Sequence, residues 1–405
     1  MKVDFLILGF LFVSPFATAS LGTESYTSYI NNMYYDSDVI RQKAMELESA
    51  LLQAKQTSFY FIPKISADTK YRTDQTRGDM FESKVSVNSL IYSTSTPERF
   101  KEKDSRILGA ELSLLKEKEN LYKSVVENLI GIKYYSDLDG KANFLENTAT
   151  ELYHQIEGRY LSGVAKSSDV EQANLLIQKI KTESESIKKE IELLKSNIEL
   201  ATGIPLPKQG ISLPANILNK IDSFHIDEDK IYNNLDYKLL SAQANATKYN
   251  AQQQDPLMQV SLITEEKYYN RARVDNDSYA GIQVSMNIFD LDKKISSRTG
   301  MISYRVLKSK MDFKYKELLA KMRSLQLTAN SNEKEINGLE AQKATTEIIL
   351  SSQKREYNIS QSSYYEMLNT QYDYFSLEKK IAEMRIAYSI NKVALLQVAG
   401  ELLSL

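Results

Sequence analysis

Lys64-Ile65-Ser66-Ala67-Asp68-Thr69-Lys70-Tyr71-Arg72 alternates charged or polar side chains with less polar ones at every second position. Successive side chains of a strand point to opposite faces, so this period of two predicts a strand with one polar face. A turn signal follows at Thr76-Arg77-Gly78-Asp79. Val85, Val87, Ser89 and Ile91 then alternate with Lys84, Ser86 and Asn88. The two runs, residues 59–74 and 80–93, read as a hairpin. The pattern returns at residues 256–274 and 279–290. There Met258, Val260 and Leu262 alternate with Gln259 and Ser261, and Ile282, Val284, Met286 and Ile288 alternate with Gln283, Ser285 and Asn287. A turn at Asp275-Asn276-Asp277-Ser278 separates them.

Helical periodicity surrounds both hairpins. Residues 22–58 are polar and helix-favouring, and from Pro97 a helical period holds for about a hundred residues. Asp137–Gly140 is a break that a helix tolerates, whereas Tyr160-Leu161-Ser162-Gly163 reads as a turn. Beyond it, Leu176, Ile180, Ile187, Ile191, Leu194 and Ile198 follow the spacing of a coiled-coil seam. Gly203 ends this helix, with Pro205 after it. Residues 204–234 hold a proline-rich connector, and the cycle restarts at Leu235. One offset relates the halves. Tyr160 and Tyr357 are 197 residues apart, and so are Gly203 and Gly400, Tyr92 and Phe289, Asp169 and Glu366. The chain therefore reads as a signal segment at 1–19, a first repeat at 20–203, the connector at 204–234 and a second repeat at 235–405. The expected fold is mostly α: two tandem repeats of long coiled-coil helices, each with a β-hairpin that contributes to a small barrel. The long helices run over 97–203 and 293–403. A helix such as 97–158 spans about 90 Å at about 1.5 Å per residue, too long for a compact domain.

Composition removes several classes of function. The 405 residues carry a net charge of −2, so no basic field points to nucleic acid. There is no cysteine, hence no disulfide, thiolate metal site, cysteine nucleophile or lipid-anchored cysteine. The two histidines, His154 and His225, have no partners at ligand spacing and read as surface residues. No cofactor, no metal and no enzyme activity are expected, because no nucleophile, metal or paired-acid constellation can be placed. Tryptophan is absent, yet there are 26 Tyr and 13 Phe, and amphipathic aromatics suit a surface apolar on one side and wet on the other. Lys2, the apolar run Phe5–Val13 and Ala17-Thr18-Ala19 read as a cleaved secretory signal. That run is shorter than the about 20 residues a membrane helix needs. Later segments offer no such stretch either, so contact with membrane lipid would have to be made by strands.

Four amphipathic strands cannot close a barrel alone. In lipid an open edge costs several kcal/mol per unpaired backbone group, and bacterial barrels begin at about eight strands. If these strands enter an outer membrane, the chain must assemble with copies of itself. The polar faces suit a watery lumen, and alternation assigns to it Lys64, Asp68, Lys70, Arg72, Lys84, Asn88, Gln283 and Asn287. Two alternatives stay open: a half-exposed sheet packed on soluble helices, and a structural coiled-coil periplasmic or surface protein without a channel.

Gly158-Arg159-Tyr160-Leu161-Ser162-Gly163-Val164-Ala165-Lys166-Ser167-Ser168-Asp169-Val170 resembles the helix-turn-helix segment of the outer membrane factor, or TolC-like, family of efflux and type I secretion ducts. Arg355–Asn369 is similar to that family's second-repeat segment, Ile288-Phe289-Asp290 to its strand-to-helix junction, and Leu200–Pro205 to its first helix end. The family's paired glycines after the junction Asp are missing. The resemblance implies a homotrimer with a twelve-stranded outer-membrane barrel, continued by a periplasmic α-helical tunnel. It implies a passive exit duct served by an inner-membrane pump and a periplasmic adaptor. It places Asp169 and Glu366 at the tip aperture, with Asn369 where a further acid is common, and Tyr160 and Tyr357 at an aromatic latch position. Ser162, Gly163, Val164 and Ile359, Ser360, Gln361 then occupy the adaptor-docking turns. A plainer role for Asp169 and Glu366 is stabilisation of a helix start.

Overall fold

The computed structural model describes residues 21–74, 78–207, 210–225, 227–269, 277–358 and 364–405. The expected signal segment lies outside them. In chain order the elements are α1 (Leu21–Asp36), α2 (Asp38–Ser58), β1 (Lys64–Asp74), β2 (Gly78–Ser93), α3 (Thr96–Leu161), α4 (Ser167–Thr202), α5 (Ala215–Ser223), α6 (Leu235–Gln253), β3 (Met258–Tyr269), β4 (Asp277–Met286), α7 (Leu291–Asn358) and α8 (Tyr364–Ala399). The protein is mostly helical, with one small antiparallel sheet in the order β1-β2-β3-β4.

The 197-residue offset holds at helix boundaries. It carries the ends of α3, Leu161, and of α4, Thr202, onto those of α7, Asn358, and α8, Ala399. It also carries the starts of α2 and α4 onto those of α6 and α8. Gly203 and Gly400, which end α4 and α8, both adopt left-handed φ, at 72° and 67°. At Gly400 glycine is required twice over, because a Cβ there would also strike the Asn233 carbonyl.

Strand limits differ from the expected ones for local reasons. β1 starts at Lys64, not 59, because Phe59–Phe61 form a 3-10 turn and Ile62 is held extended ahead of Pro63 (ψ 135°). β4 ends at Met286 rather than 290. The Asn287 N–H still donates to the Leu257 carbonyl at 3.0 Å, but the Asp290 carboxylate then accepts from the Lys293 N–H at 3.1 Å and opens α7. The Asp137–Gly140 stretch does not interrupt α3, which runs for 66 residues, about 99 Å at about 1.5 Å per residue.

Helix packing follows the strand order. α2 leads into β1, β2 into α3, α6 into β3 and β4 into α7, and α2 packs on α3, α3 on α6, and α6 on α7. Farther along, α3 pairs with α4, α7 with α8, and α8 bridges to α3. The α3–α4 seam buries Ala173, Leu176, Ile180, Ile187, Ile191 and Ile198 at mixed three-, four- and seven-residue steps. The half-buried Leu194 sits over Gly131, where a Cβ would come within 2.7 Å of its Cδ1. α1, α5 and the ends of α4 and α8 gather beside the middle of α3 around Met33, Val125, Ile130, Ile221 and Leu402. Asn234 ties this region together. Its carboxamide oxygen caps α6 by accepting from the Asp236 and Tyr237 N–H groups, while its Nδ2 donates to the Gln397 carbonyl at 3.1 Å.

Glu119 on α3 is 3% exposed in this region. Burial, and then the charge of Asp236, push its carboxyl from about 4.5 up to about 7. The folded state thus holds this proton more tightly than the unfolded chain does. The stability it contributes is present at acidic pH and is lost as pH rises from about 4.5 through about 7. Glu119→Gln is expected to leave thermal unfolding near pH 4 unchanged and to stabilise at pH 8, by on the order of 1–3 kcal/mol. Circular dichroism melts across that range in detergent check this, and parallel pH profiles for the two proteins would contradict it.

Candidate functional site

The register assigns each strand face. On one face lie Ile65, Ala67, Thr69 and Tyr71 of β1, Phe81, Val85 and Val87 of β2, Val260 and Leu262 of β3, and Ile282, Val284 and Met286 of β4. On the other lie Lys64, Ser66, Asp68 and Lys70, then Glu82, Lys84, Ser86 and Asn88, then Ser261, Glu265 and Lys267, then Asp277 and Gln283. Lys64 is opposite Asn88, Asp68 opposite Lys84, and Ser261 opposite Gln283; Arg72 has the same register parity. The sheet therefore gathers Lys64, Asp68, Lys70, Lys84, Asn88 and Gln283 on one polar face. Asn287, expected among them, lies instead just past β4 with its Nδ2 donating to the Asp255 carboxylate at 3.2 Å. Sequence reading missed Glu265 and Lys267. The alternation it followed in β3 stops at Leu262, because Thr264 and Glu266 put polar residues on the apolar face as well.

The sheet is open. β1 and β4 are its edges, and residues 64–70 of β1 and all of β4 are exposed. The helices leave matching edges. Val39, Met45 and Leu52 are exposed on α2, and Leu175, Leu193 and Leu200 on α4. Along α7, Ile295 and Ile302 stand seven residues apart, as do Val306 and Phe313, and all four are exposed with Leu327 and Ile348. A solvated helix does not gain from such a stripe at heptad spacing.

At the far end, α3 closes with hydrogen bonds from the Gly163 and Val164 N–H groups to the Tyr160 and Arg159 carbonyls, both 2.9 Å. Gly163 takes φ +75°, which a residue with a Cβ adopts only with strain. Ser162 Oγ donates to the Gly158 carbonyl at 2.8 Å. Leu161 and Val164 are 78% and 76% exposed and Tyr160 44%, so the turn presents an apolar patch. Asp169 faces its own helix start. Its carboxylate accepts from the Lys166 N–H at 3.3 Å and from Ser168 Oγ at 3.4 Å, as a helix-capping acid does. Glu366 and Asn369 are exposed in the first turns of α8. Tyr357 lies in the last turn of α7, and Ile359, Ser360 and Gln361 lie outside the described residues. α8 is tied to α3 and α4 by Tyr364 Oη donating to Gln155 (3.4 Å), Lys141 on Glu378 (2.6 Å) and Lys379 on Glu183 (2.7 Å).

Sequence comparison finds no match among family models or curated proteins. Solved structures do match. The outer membrane protein VceC of Vibrio cholerae superposes with a TM-score of 0.74 at 14% identity, over 92% of this chain and 95% of that one. The CmeC outer membrane channel of Campylobacter jejuni gives 0.72 at 11%, over 94% and 86%. The open state of the MtrE outer membrane channel of Neisseria gonorrhoeae gives 0.71 at 13%, over 93% and 89%. The chain has the outer-membrane-channel fold. Within that fold the described residues include no helix long and apolar enough to cross a membrane, and no cluster of His, Cys, Asp or Glu that could hold a metal ion. His154 and His225 are both exposed, near Glu157 and the Ser223 carbonyl respectively.

The Asp169 geometry yields a discriminating expectation. Asp169→Ala removes this N3 contact to the N-cap backbone and destabilises the start of α4 by about 0.3–1 kcal/mol. Hydrogen exchange of the amides at residues 167–172 should therefore speed up. Unchanged exchange would show that these contacts do not hold the start of α4.

Proposed function

We propose that the protein is the passive outer-membrane exit duct of a tripartite export system, as type I protein secretion or multidrug efflux uses. Three copies would form it, fed by an inner-membrane pump and recruited by a periplasmic adaptor. The observation that carries this reading is the strip itself: four strands and four helices in one order, polar on one sheet face and apolar on the other, unpaired at both edges. Pairing β4 of one copy with β1 of the next gives twelve strands in three copies and removes every edge. The apolar stripe of α7 would then meet α2 and α4 of the neighbouring copy.

Aromatic placement supports a membrane position. Phe59, Phe61, Tyr92 and Phe289 are exposed at the strand–helix junctions, while Tyr71, Phe81 and Tyr268 are exposed near the opposite strand ends. Ten residues separate Phe61 from Tyr71. At about 3.3 Å per residue and a tilt of about 40°, that separation is about 25 Å, the height of the apolar band of outer-membrane barrels. The exposed Leu161 and Val164 suit docking of an adaptor at the tip. A coiled-coil fibre without a channel has no use for a sheet with opposed faces.

Purification from outer membranes in mild detergent is expected to give a particle of three chains that conducts ions in planar bilayers. A monomer without conductance would sink the duct reading. Glu366→Ala is expected to reduce cation selectivity and block by multivalent cations, and unchanged currents would remove Glu366 from the constriction.

A further inference from the structure

The strand segment carries a charge arrangement separate from the tip. On the polar face the register sets Asp68, Lys84, Lys267 and Asp277 in one row across the four strands. Lys84 stands directly opposite Lys267, and like charges facing each other across an antiparallel pair are destabilising. Glu265 resolves the conflict. It lies two residues before Lys267, on the same face, and its carboxylate takes both ammonium groups: Lys267 at 2.9 Å through one oxygen, and Lys84 through the other. The Glu265 side chain is 8% exposed, against 32% for Lys84 and 26% for Lys267. An acid is thus held beneath two bases on a face that is otherwise wet.

The formal charges of the row cancel: two aspartates against two lysines. The neighbouring pair Lys70 and Glu82 cancels as well. Within the three rows that start at residues 66, 68 and 70 of β1 Glu265 is the surplus; Lys64 and Arg72 have the same register parity in the rows beyond them. Glu265 leaves this belt at −1 per chain, or −3 for three chains around one bore. Removing it would take the belt to neutrality and expose two facing lysines; removing either lysine would take it to −2 per chain.

We propose that Glu265 is a charge-selectivity residue of the strand lumen, acting through Lys84 and Lys267 independently of the acids at the helical tip. The inference rests on the duct reading, since it requires the polar face to line a conducting bore. Rings of charged side chains set ion preference in pores. The Debye length is about 10 Å at 0.1 M salt and about 3 Å at 1 M, so the effect belongs to low ionic strength.

The test is the potassium-to-chloride permeability ratio, from reversal potentials across a KCl gradient in planar bilayers. It is measured near 0.1 M and near 1 M for wild type, Glu265→Gln, Lys84→Gln and Lys267→Gln. Glu265→Gln is expected to lower the ratio about twofold or more at the low concentration, and each lysine variant to raise it, with both shifts shrinking at the high one. Opposite signs separate selectivity from stability, because a merely structural Glu265 would lower the melting temperature and leave the ratio unmoved. If Glu265→Gln fails to assemble, the lysine variants decide: a raised ratio supports the inference and an unchanged ratio overturns it. A conducting wild type with one ratio in all variants overturns the inference alone. A wild type that carries no current overturns the duct reading and the inference with it.

Discussion

The unpaired backbone of β1 and β4 is the constraint on which the rest of the structure depends. Every peptide group on a sheet edge needs a partner, and in hydrocarbon there is no water to provide one. Two hairpins joined at β2–β3 satisfy their inner ladders and leave two outer ones open. The apolar face of the sheet makes exposure to water costly, and the open edges make exposure to lipid costly. In the proposed duct, closure by further copies of the same strip would relieve both. The tandem repeat would serve that geometry, because a closed ring of equivalent strands needs each hairpin to hand its helices on at the same height.

The helices carry the same constraint into the aqueous region. Each strand is continuous with a helix, so the lateral order of the sheet becomes that of the bundle. α7 inherits the edge position of β4, and its exposed Ile295, Ile302, Val306 and Phe313 are the helical counterpart of unpaired strand groups. Where the strip is paired internally, packing is close: Gly300 faces Ala251 across α6 and α7, and an added Cβ would come within 2.6 Å of the alanine's own. The repeats are joined by fixed links. Lys123 donates to Gln397 and Lys141 pairs with Glu378, both connecting α3 to α8.

Charge is distributed unevenly along the strip. At the tip Asp169 is drawn into its own helix start, while Glu366 is exposed at the start of α8, so the two copies of one position differ in surroundings. In the sheet, Glu265 is enclosed by two lysines while the aspartates in those lysines' row sit on the exposed edge strands. Buried acids take their properties from neighbours distant in sequence: Glu119 answers to Asp236 and Gln397.

Much of this was legible in the chain by itself. Period-two alternation gave which side chains of β1, of β2 up to Leu90 and of β4 share a face, because a regular strand allows no other arrangement, but it missed the register shift between Leu90 and Tyr92 that takes Ile91 out of the ladder. The 197-residue offset located paired helix ends, since the glycines that close α4 and α8 need the same left-handed φ. Local signals failed where local chemistry competed: Pro63 moved the start of β1, and the capping Asp290 moved the end of β4. Only the tertiary structure paired β2 with β3, across 164 residues between Thr94 and Met258. That pairing brings Lys84 opposite Lys267 and makes Glu265 their common counter-ion. No periodicity within one segment encodes it, because the register of two strands joined by a long helical excursion is set by how the helices between them pack.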